Sequence, residues 1–171
     1  MGTTVESRLN EIEVFRTNAH LVNVVLQRNL EGISHEESLA QPCPGGNCLN
    51  WVLGHLLHVY NNALPLLHQE PVMEKKVLER YARGAAPLSD PAEAVPWNSL
   101  TKSWNEAARR VDEGLGRLSP ELLDSPAPFS PTDNPEETVR SLLTTLFFHQ
   151  AYHAGQTGIL RRLAGKKGAI A

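Results

Sequence analysis

Hydrophobic positions recur along most of the chain at spacings of three, four or seven residues, the pattern of helices with one buried face. The first such stretch covers residues 5–30, and its apolar stripe continues just beyond, at Leu9, Ile12, Ala19, Val22, Leu26, Leu30 and Ile33. A second stretch, residues 100–118, repeats this pattern and places charged side chains such as Glu106 and Arg110 on its other face. Both stretches therefore predict amphipathic helices.

Two further stretches contain no charged side chain. Asp, Glu, Lys and Arg are absent from residues 38–69 and again from residues 141–160. Within the first, residues 49–67 are apolar on nearly every side of a helical projection, which predicts a helix buried all round inside protein. Its histidines, asparagines and Pro65 exclude a membrane span, because a span needs about 20 predominantly apolar residues. The second belongs to a helix predicted to start at Asn134-Pro135-Glu136-Glu137 and to run to about Ala164.

Capping residues and prolines divide these helices. Ser34 and Glu37 have the spacing of a capping box, which predicts a short helical turn there. Ser119 followed by Pro120 predicts a second capped turn, and Asp90 a third within the proline-rich connection of residues 84–96. The charged residues 74–83 are predicted to be exposed, and no stretch alternates like a strand. The expected fold class is therefore all-α, a four-helix bundle with one long crossover connection, in a single domain over residues 1–171.

Composition and charge narrow the class of protein. With 171 residues, 41% hydrophobic and 20% charged, the chain has an ordinary globular composition. A net charge of -3 without a long basic run argues against nucleic acid as a partner. The first ten residues lack the apolar segment of a secretory signal, so we expect a cytoplasmic protein without membrane contact. Cys43 and Cys48 are too few for a disulfide scaffold, and their role is left open.

A polar stripe follows one face of each charge-free helix. Spacings of four, three and four residues separate Trp51, His55, His58 and Asn62, and spacings of four and three separate His149, His153 and Gln156. Histidines four residues apart on a helix can direct two imidazole nitrogens at one ion, and a facing helix could supply a third. Such a pair alone also occurs on solvent-facing or satisfied core positions. The charge-free surroundings and the second stripe favour a metal site.

The sequence N-W-V-L-G-H-L-L at residues 50–57, together with F-H-Q-A-Y-H-A-G-Q at residues 148–156, resembles the DinB/YfiT-like superfamily of metal-dependent bacterial enzymes. In that family one ligand histidine lies four residues after a tryptophan, and two others come from an H-x3-H followed by Gly-Gln. The resemblance covers nearly the whole chain and implies that His55, His149 and His153 are the metal ligands. It also implies an up-down-down-up bundle, usually dimeric, that carries nickel, zinc or another divalent ion.

Activity follows less directly from the resemblance. Related members transfer low-molecular-weight thiols to electrophiles or isomerise maleylpyruvate with a thiol cofactor, and many have no assigned reaction. Three neutral histidines leave a bound ion its full charge of +2, which lowers the pKa of a bound thiol or water. We therefore expect a thiol transferase or hydrolase-like enzyme that acts on a small-molecule electrophile. Nickel or zinc is the first expectation for the ion, with iron, manganese or copper left open.

Other side chains near the expected ligands receive roles as well. The motif H-Q-x-x-H lacks the glutamate of zinc proteases, which disfavours peptide hydrolysis. His58, Asn62 and Tyr152 are candidates to carry a proton or orient the substrate. Gln156 is expected to orient a ligand histidine, and Trp51 to line the substrate pocket.

Two competing interpretations remain. In one, the protein is a non-catalytic, stress-related dimer in which the ion only staples the bundle. In the other, it is a metal-free helical dimer, and the three histidines do not converge. Helix surfaces that are apolar on two sides favour a homodimer in every case, because one side can be buried inside the bundle and the other against a partner.

Overall fold

Helices supply the regular structure of the protein. The computed structural model describes residues 3–43 and 45–170, with side chains from residue 11 onward, so the predicted apolar side chain of Leu9 lies outside the described residues. Its α-helices are α1 (Thr3–Leu30), α2 (His35–Ser38), α3 (Leu49–Ala63), α4 (Lys75–Leu78), α5 (Trp97–Leu115), α6 (Pro120–Leu123) and α7 (Val139–Leu163). Short 3-10 helices occupy Leu64–Leu67, Glu79–Tyr81 and Pro91–Glu93. The described residues form no strand, which confirms the all-α prediction.

The four long helices α1, α3, α5 and α7 enclose one core. Helix α1 packs against α5 and α7, and α3 packs against the same two helices. The largest side chains at the centre are those of Trp104 on α5 and Tyr60 on α3, whose rings stack with centroids 4.8 Å apart. This pairwise packing places one face of α3 directly opposite one face of α7.

Helix α3 is buried over almost its whole length. Every residue from Leu49 to Leu57 is buried, as the charge-free pattern predicts. The α-helical hydrogen bonding ends at Ala63, and the chain continues as a 3-10 turn that contains Pro65. His58 is half-buried and Asn62 is exposed, because the surface of α3 that carries them faces a cavity.

The predicted caps of the short turns are confirmed. The Ser34 hydroxyl accepts from the Glu37 backbone N–H while the Glu37 carboxylate accepts from the Ser34 N–H, so both halves of the capping box are present. Asp90 and Ser119 cap their turns through side-chain oxygens that accept from backbone N–H groups. Gly165, just beyond the end of α7, has a φ of +79°, a conformation that favours glycine.

The predicted start of the last helix is wrong. Asn134 does accept from a backbone N–H, that of Glu136, but it caps only a turn. The chain then stays extended, because the Ala127 N–H donates to the Glu137 carbonyl at 2.8 Å and the Val139 N–H donates to the Ser125 carbonyl at 3.0 Å. Helix α7 starts at Val139 instead, with Thr138 as its cap.

The prediction that residues 74–83 are exposed holds for most of the segment but is wrong for Leu78 and Tyr81. The segment folds into α4 and a 3-10 turn, and it buries Leu78 and Tyr81 against α3. The two apolar side chains are three residues apart, so one face of this short helical stretch packs on the core while its charges stay outside. The turn that holds Tyr81 lies directly behind His55, at a hydrogen-bonding distance.

In the described part of the chain, no helix combines the length and the apolar character that crossing a bilayer would require.

Candidate metal centre

Three histidine rings meet where α3 faces α7. His55 comes from α3, and His149 and His153 come from successive turns of α7. The Nε2 atom of His149 lies 3.1 Å from Nε2 of His55 and 3.0 Å from Nε2 of His153. Among the described residues, this is the one group of three or more His, Cys, Asp or Glu side chains whose ligand atoms all lie within 4.8 Å of one another. The structure thus brings together all three histidines of the H-x3-H and W-x3-H motifs.

In two of the three rings, a hydrogen bond fixes the ring proton on Nδ1, the nitrogen that faces away from the cluster. His55 Nδ1 lies 2.8 Å from the Tyr81 carbonyl, which can only accept, so Nδ1 carries the proton. His153 Nδ1 lies 2.7 Å from Oε1 of Gln156 and is protonated for the same reason. A neutral imidazole has one N–H, so the Nε2 atoms of both rings present lone pairs to the centre.

The third ring cannot satisfy both of these lone pairs. His149 Nε2 can carry one proton and donate it to one neighbour, which leaves the other short nitrogen–nitrogen contact without a hydrogen. Its Nδ1 is buried and has no hydrogen-bond partner in the described residues, so nothing fixes its tautomer. A cation bound by the three Nε2 atoms would turn this cluster of acceptors into a satisfied group.

The spacing of the nitrogens suits such a cation. Imidazole nitrogens bind zinc at about 2.0–2.1 Å, which puts two of them about 2.8–3.4 Å apart for octahedral to tetrahedral angles. The observed separations of 3.0 and 3.1 Å fall in that range. The residues therefore fit a divalent transition-metal ion, and a three-histidine set leaves coordination positions for other ligands.

The surroundings keep the three rings neutral. Burial lowers the pKa of His55 and of His153 below the usual value. Burial lowers the pKa of His149 to about 4, and the neighbouring His153, His55 and Arg83 add to this effect. Neutral imidazole is the form that binds a metal, so the rings are held in their ligand form at neutral pH.

The side chain of Tyr81, the residue whose carbonyl orients His55, belongs to a buried network of its own. The Tyr81 hydroxyl donates to Oδ1 of Asn50 at 2.8 Å and accepts from the Val95 N–H at 2.8 Å. Asn50 Nδ2 in turn donates to the Val95 carbonyl at 3.0 Å, which closes the ring of contacts. We call Asn50, Tyr81 and Val95 the Tyr81 network. The network holds the Tyr81 side chain through its hydroxyl, whereas the backbone carbonyl of the same residue fixes the tautomer of His55.

Gly54 makes this arrangement sterically feasible. A Cβ atom at Gly54 would lie 2.4–2.6 Å from ring atoms of Tyr81, closer than any real contact. Because Gly54 has no side chain, the Tyr81 ring can lie against α3 at this position, immediately before His55. The glycine in the W-V-L-G-H sequence thus serves the metal centre indirectly.

A cavity of about 530 Å³ opens on the histidine cluster. Its wall is largely aliphatic and consists of Val59, Ala63, Leu66, Leu142, Leu143 and Leu146. Phe129 and Pro131, from the connection between α6 and α7, and Arg83, from the connection between α4 and α5, also contribute to it. A volume of this size is typical of sites for small molecules, which lie in roughly 300–1,000 Å³. The three histidines are therefore accessible to a ligand from an apolar chamber.

Of the other predicted site residues, some line this cavity and others lie outside it. His58 and Asn62 line the cavity, and Asn62 Nδ2 lies 3.1 Å from His58 Nε2. Gln156 lies behind His153, as its hydrogen bond to Nδ1 shows, and outside the cavity.

Trp51 and Tyr152 differ from their predicted places. Trp51 does not line the cavity, because its ring is buried and stacks on His55 from the preceding helical turn, with centroids 5.0 Å apart and planes 16° apart. Tyr152 is 59% exposed, since it precedes His153 and points about 100° away from it around the helix. It touches the His153 ring edge-on but does not reach the cavity.

Three residues of the site are not predicted by the sequence. Tyr81 contributes a backbone carbonyl, for which no residue type is a signal. Arg83 and Phe129 lie in irregular connections, and only the tertiary structure brings them to the cavity. The two cysteines are both free, with Cys48 buried and Cys43 exposed, and neither belongs to the histidine cluster.

The fold and the site define an all-helical protein with a three-histidine cluster open to an apolar cavity. Residues 21–157 match the DinB superfamily, and the chain belongs to that superfamily. A solved structure, described as the conserved protein of locus from Enterococcus faecalis, is 18% identical, with a TM-score of 0.68 over 90% of this chain and 97% of that one. At this identity, the likeness shows the fold alone. No curated protein matches the sequence.

Proposed function

We propose that the protein is a metal-dependent enzyme in which His55, His149 and His153 hold one divalent ion. One observation carries this proposal. The Nε2 lone pairs of His55 and His153 both point at Nε2 of His149, which can donate a proton to only one of them. Buried acceptors without donors cost free energy unless a proton or a cation satisfies them. Burial lowers the pKa of all three rings, which disfavours the proton and favours the cation.

The proposed reaction is attack by a thiol or water on a small electrophile. A divalent ion with three neutral ligands supplies Lewis acidity and lowers the pKa of a thiol or water bound to it. Nickel or zinc is proposed as the ion, because imidazole ligands suit both. Membership of the DinB superfamily supports metal binding, and the opening of the cluster to a cavity supports a reaction over a purely structural ion.

The side chains of the cavity have separate tasks in this proposal. The aliphatic wall excludes water around the electrophile, which strengthens electrostatic interactions inside. His58 is the proposed proton acceptor, because burial lowers its pKa and keeps it neutral at pH 7. Asn62, which contacts His58 Nε2, orients that ring. The described lining residues include no Asp or Glu, so none of them provides the carboxylate base of the zinc proteases.

We also propose that the bundle has the up-down-down-up connectivity of the superfamily. Packing of α1 and of α3 against both α5 and α7 supports this arrangement.

A homodimer is proposed as well, through a stripe of exposed apolar side chains at spacings of four, seven and four on α7: Phe148, Tyr152, Ile159 and Leu163. Light scattering of Phe148→Glu should give the monomer mass. Val77→Glu, at an exposed apolar residue elsewhere, is the matched control and should leave the dimer intact.

The function is tested by elemental analysis of the native protein beside His149→Ala, with thiol-conjugation activity assayed on both. We expect about one divalent ion per native chain, and loss of ion and activity together in the variant. Stoichiometric metal retained in His149→Ala would contradict the ligand set. An intact ion without activity on any thiol or hydrolytic substrate would support the competing hypothesis of a non-catalytic metal-binding protein.

A further inference from the structure

One arginine lies at the edge of the apolar cavity. Of the described residues that line the cavity, Arg83 is the only Lys, Arg, Asp or Glu. Its guanidinium therefore supplies the one permanent charge of a chamber whose wall is otherwise aliphatic, aromatic or made of neutral polar groups. A single charge at the edge of an apolar site is an arrangement that fixes the orientation of an amphipathic ligand.

Arg83 has no carboxylate partner within the described part of the chain. Five other arginines form ion pairs with Asp or Glu: Arg16, Arg80, Arg109, Arg110 and Arg140. Arg83 makes one hydrogen bond, from Nη1 to the Pro131 carbonyl at 3.2 Å. A guanidinium has five N–H donors, so enough remain to bind a carboxylate with two parallel hydrogen bonds.

The position of Arg83 is fixed by the same turn that orients the metal centre. Tyr81, two residues earlier, gives its carbonyl to His55, and Gly84, the next residue, has a φ of +81°, which glycine adopts without strain. The hydrogen bond joins the Arg83 side chain to Pro131, which also lines the cavity.

We propose that the substrate is an amphipathic carboxylate whose head group binds Arg83 and whose apolar body fills the cavity beside the three histidines. This inference rests on the proposed function, because it names the class of electrophile that the metal centre would act on. The aliphatic wall disfavours a small polar dianion, which would lose its hydration there without further partners. Arg83 binds and orients the substrate in this proposal and has no part in bond making.

The test uses octanoate and octan-1-ol as probes, which share a chain and differ in charge. Calorimetric titrations compare wild type, Arg83→Gln and Arg117→Gln, each loaded with zinc and again after treatment with EDTA. Arg117 is the matched control, because it is an exposed arginine outside the cavity and its loss changes the net charge equally. Thermal melting and zinc content of each variant establish that the fold and the metal centre are intact.

We expect Arg83→Gln to weaken octanoate binding by about tenfold or more, the loss of a charge-assisted hydrogen-bonded pair. Binding of octan-1-ol should be unchanged, and Arg117→Gln should bind both probes like wild type. Equal octanoate affinity in wild type and Arg83→Gln would overturn the proposal, as would absence of saturable octanoate binding. Loss of octanoate binding to the wild type after EDTA treatment, with octan-1-ol binding unchanged, would overturn it too, because the ion would then hold the carboxylate.

Failure of the proposed function gives a different result. If the wild-type protein retains no zinc while octanoate binding still depends on Arg83, the metal assignment fails and the amphiphile site stands. If zinc is retained at full stoichiometry in Arg83→Gln and octanoate affinity is unchanged, the metal assignment stands and the amphiphile site fails.

Discussion

Two polar clusters lie on consecutive turns of α3, and Tyr81 touches both of them. In the Tyr81 network, each polar side-chain atom has a partner: the Tyr81 hydroxyl bridges Asn50 and Val95, and Asn50 closes the ring. In the histidine cluster, one turn further along, three nitrogens face one another with at most one proton between them. The first cluster is complete by itself, whereas the second requires something that the chain does not provide.

This difference separates a structural role from a ligand-binding role. A closed buried network contributes to the stability and uniqueness of the fold. An incomplete cluster lowers the stability of the fold, and it occurs where binding of a ligand restores that stability. Substitutions in the Tyr81 network should therefore change the free energy of unfolding, and substitutions in the histidine cluster should mainly change metal affinity.

The largest effect is expected for Gly54→Ala, which disturbs both clusters. The new methyl group would lie 2.4–2.6 Å from the Tyr81 ring, so that ring and its carbonyl must move. We expect the free energy of unfolding to fall by about 3 kcal/mol, as for overpacked cores, and metal affinity to fall with it. Chemical denaturation measures the first. Gly116→Ala is the control, because its Cβ would make only ordinary contacts; equal stability of the two variants would contradict the close packing of Tyr81.

Gln156→Leu should affect the metal centre alone. The substitution removes the acceptor of His153 Nδ1 and so frees the tautomer and orientation of that ring. We expect metal affinity to fall about 10–100-fold, the usual effect of removing a group that orients a ligand histidine. Competition with a chelator of known affinity measures the change. Gln156→Glu keeps an acceptor and should retain tight binding, so a Leu variant that binds as tightly as wild type would show that Gln156 does not orient His153.

Tyr81→Phe should have the converse effect. It leaves the Asn50 amide oxygen and the Val95 N–H without their partner, while the Tyr81 carbonyl remains behind His55. We expect the free energy of unfolding to fall by about 2 kcal/mol, the cost of unsatisfied buried groups, with metal stoichiometry unchanged. Tyr152→Phe removes an exposed hydroxyl and should be neutral. Loss of metal without loss of stability in Tyr81→Phe would reverse the roles assigned to the two clusters.

The smallest effect is expected for His149→Leu in metal-free protein. The substitution removes a ring whose Nδ1 is buried without a partner and whose Nε2 faces two acceptors. We expect the free energy of unfolding in EDTA to be unchanged or to rise by up to about 1 kcal/mol. Added zinc should stabilise the wild type and leave this variant unaffected. A marked loss of stability in EDTA would show that His149 supports the fold itself.

Helix periodicity and motif spacing account for the features that the sequence predicts well. The long helices follow from runs of apolar residues at helical spacing, and burial of α3 follows from its lack of charge. The pairing of His149 with His153 follows from their spacing of four residues on one helix, and the resemblance to the DinB/YfiT-like superfamily singles out His55 as the third ring. These features depend on residue type and local order, which a sequence displays directly.

The features that the sequence predicts poorly depend on contacts between distant segments. Asn134-Pro135 has the local signals of a helix start, but backbone hydrogen bonds from Ala127 and Val139 hold the chain extended until residue 138. The part played by Tyr81 rests on its backbone carbonyl and on the bare surface at Gly54. Trp51 shares the polar stripe of α3, yet its ring stacks on His55 and takes no part in lining the cavity.

Anomalous X-ray scattering from crystals of the metal-loaded protein, recorded at the absorption edge of the bound element, shows whether the three histidines hold one ion. We expect one strong peak per chain, about 2.0–2.1 Å from the Nε2 atoms of His55, His149 and His153, with Nδ1 of His55 still hydrogen bonded to the Tyr81 carbonyl. A peak bound by fewer than these three rings, or a fully loaded ion elsewhere in the protein, would contradict it.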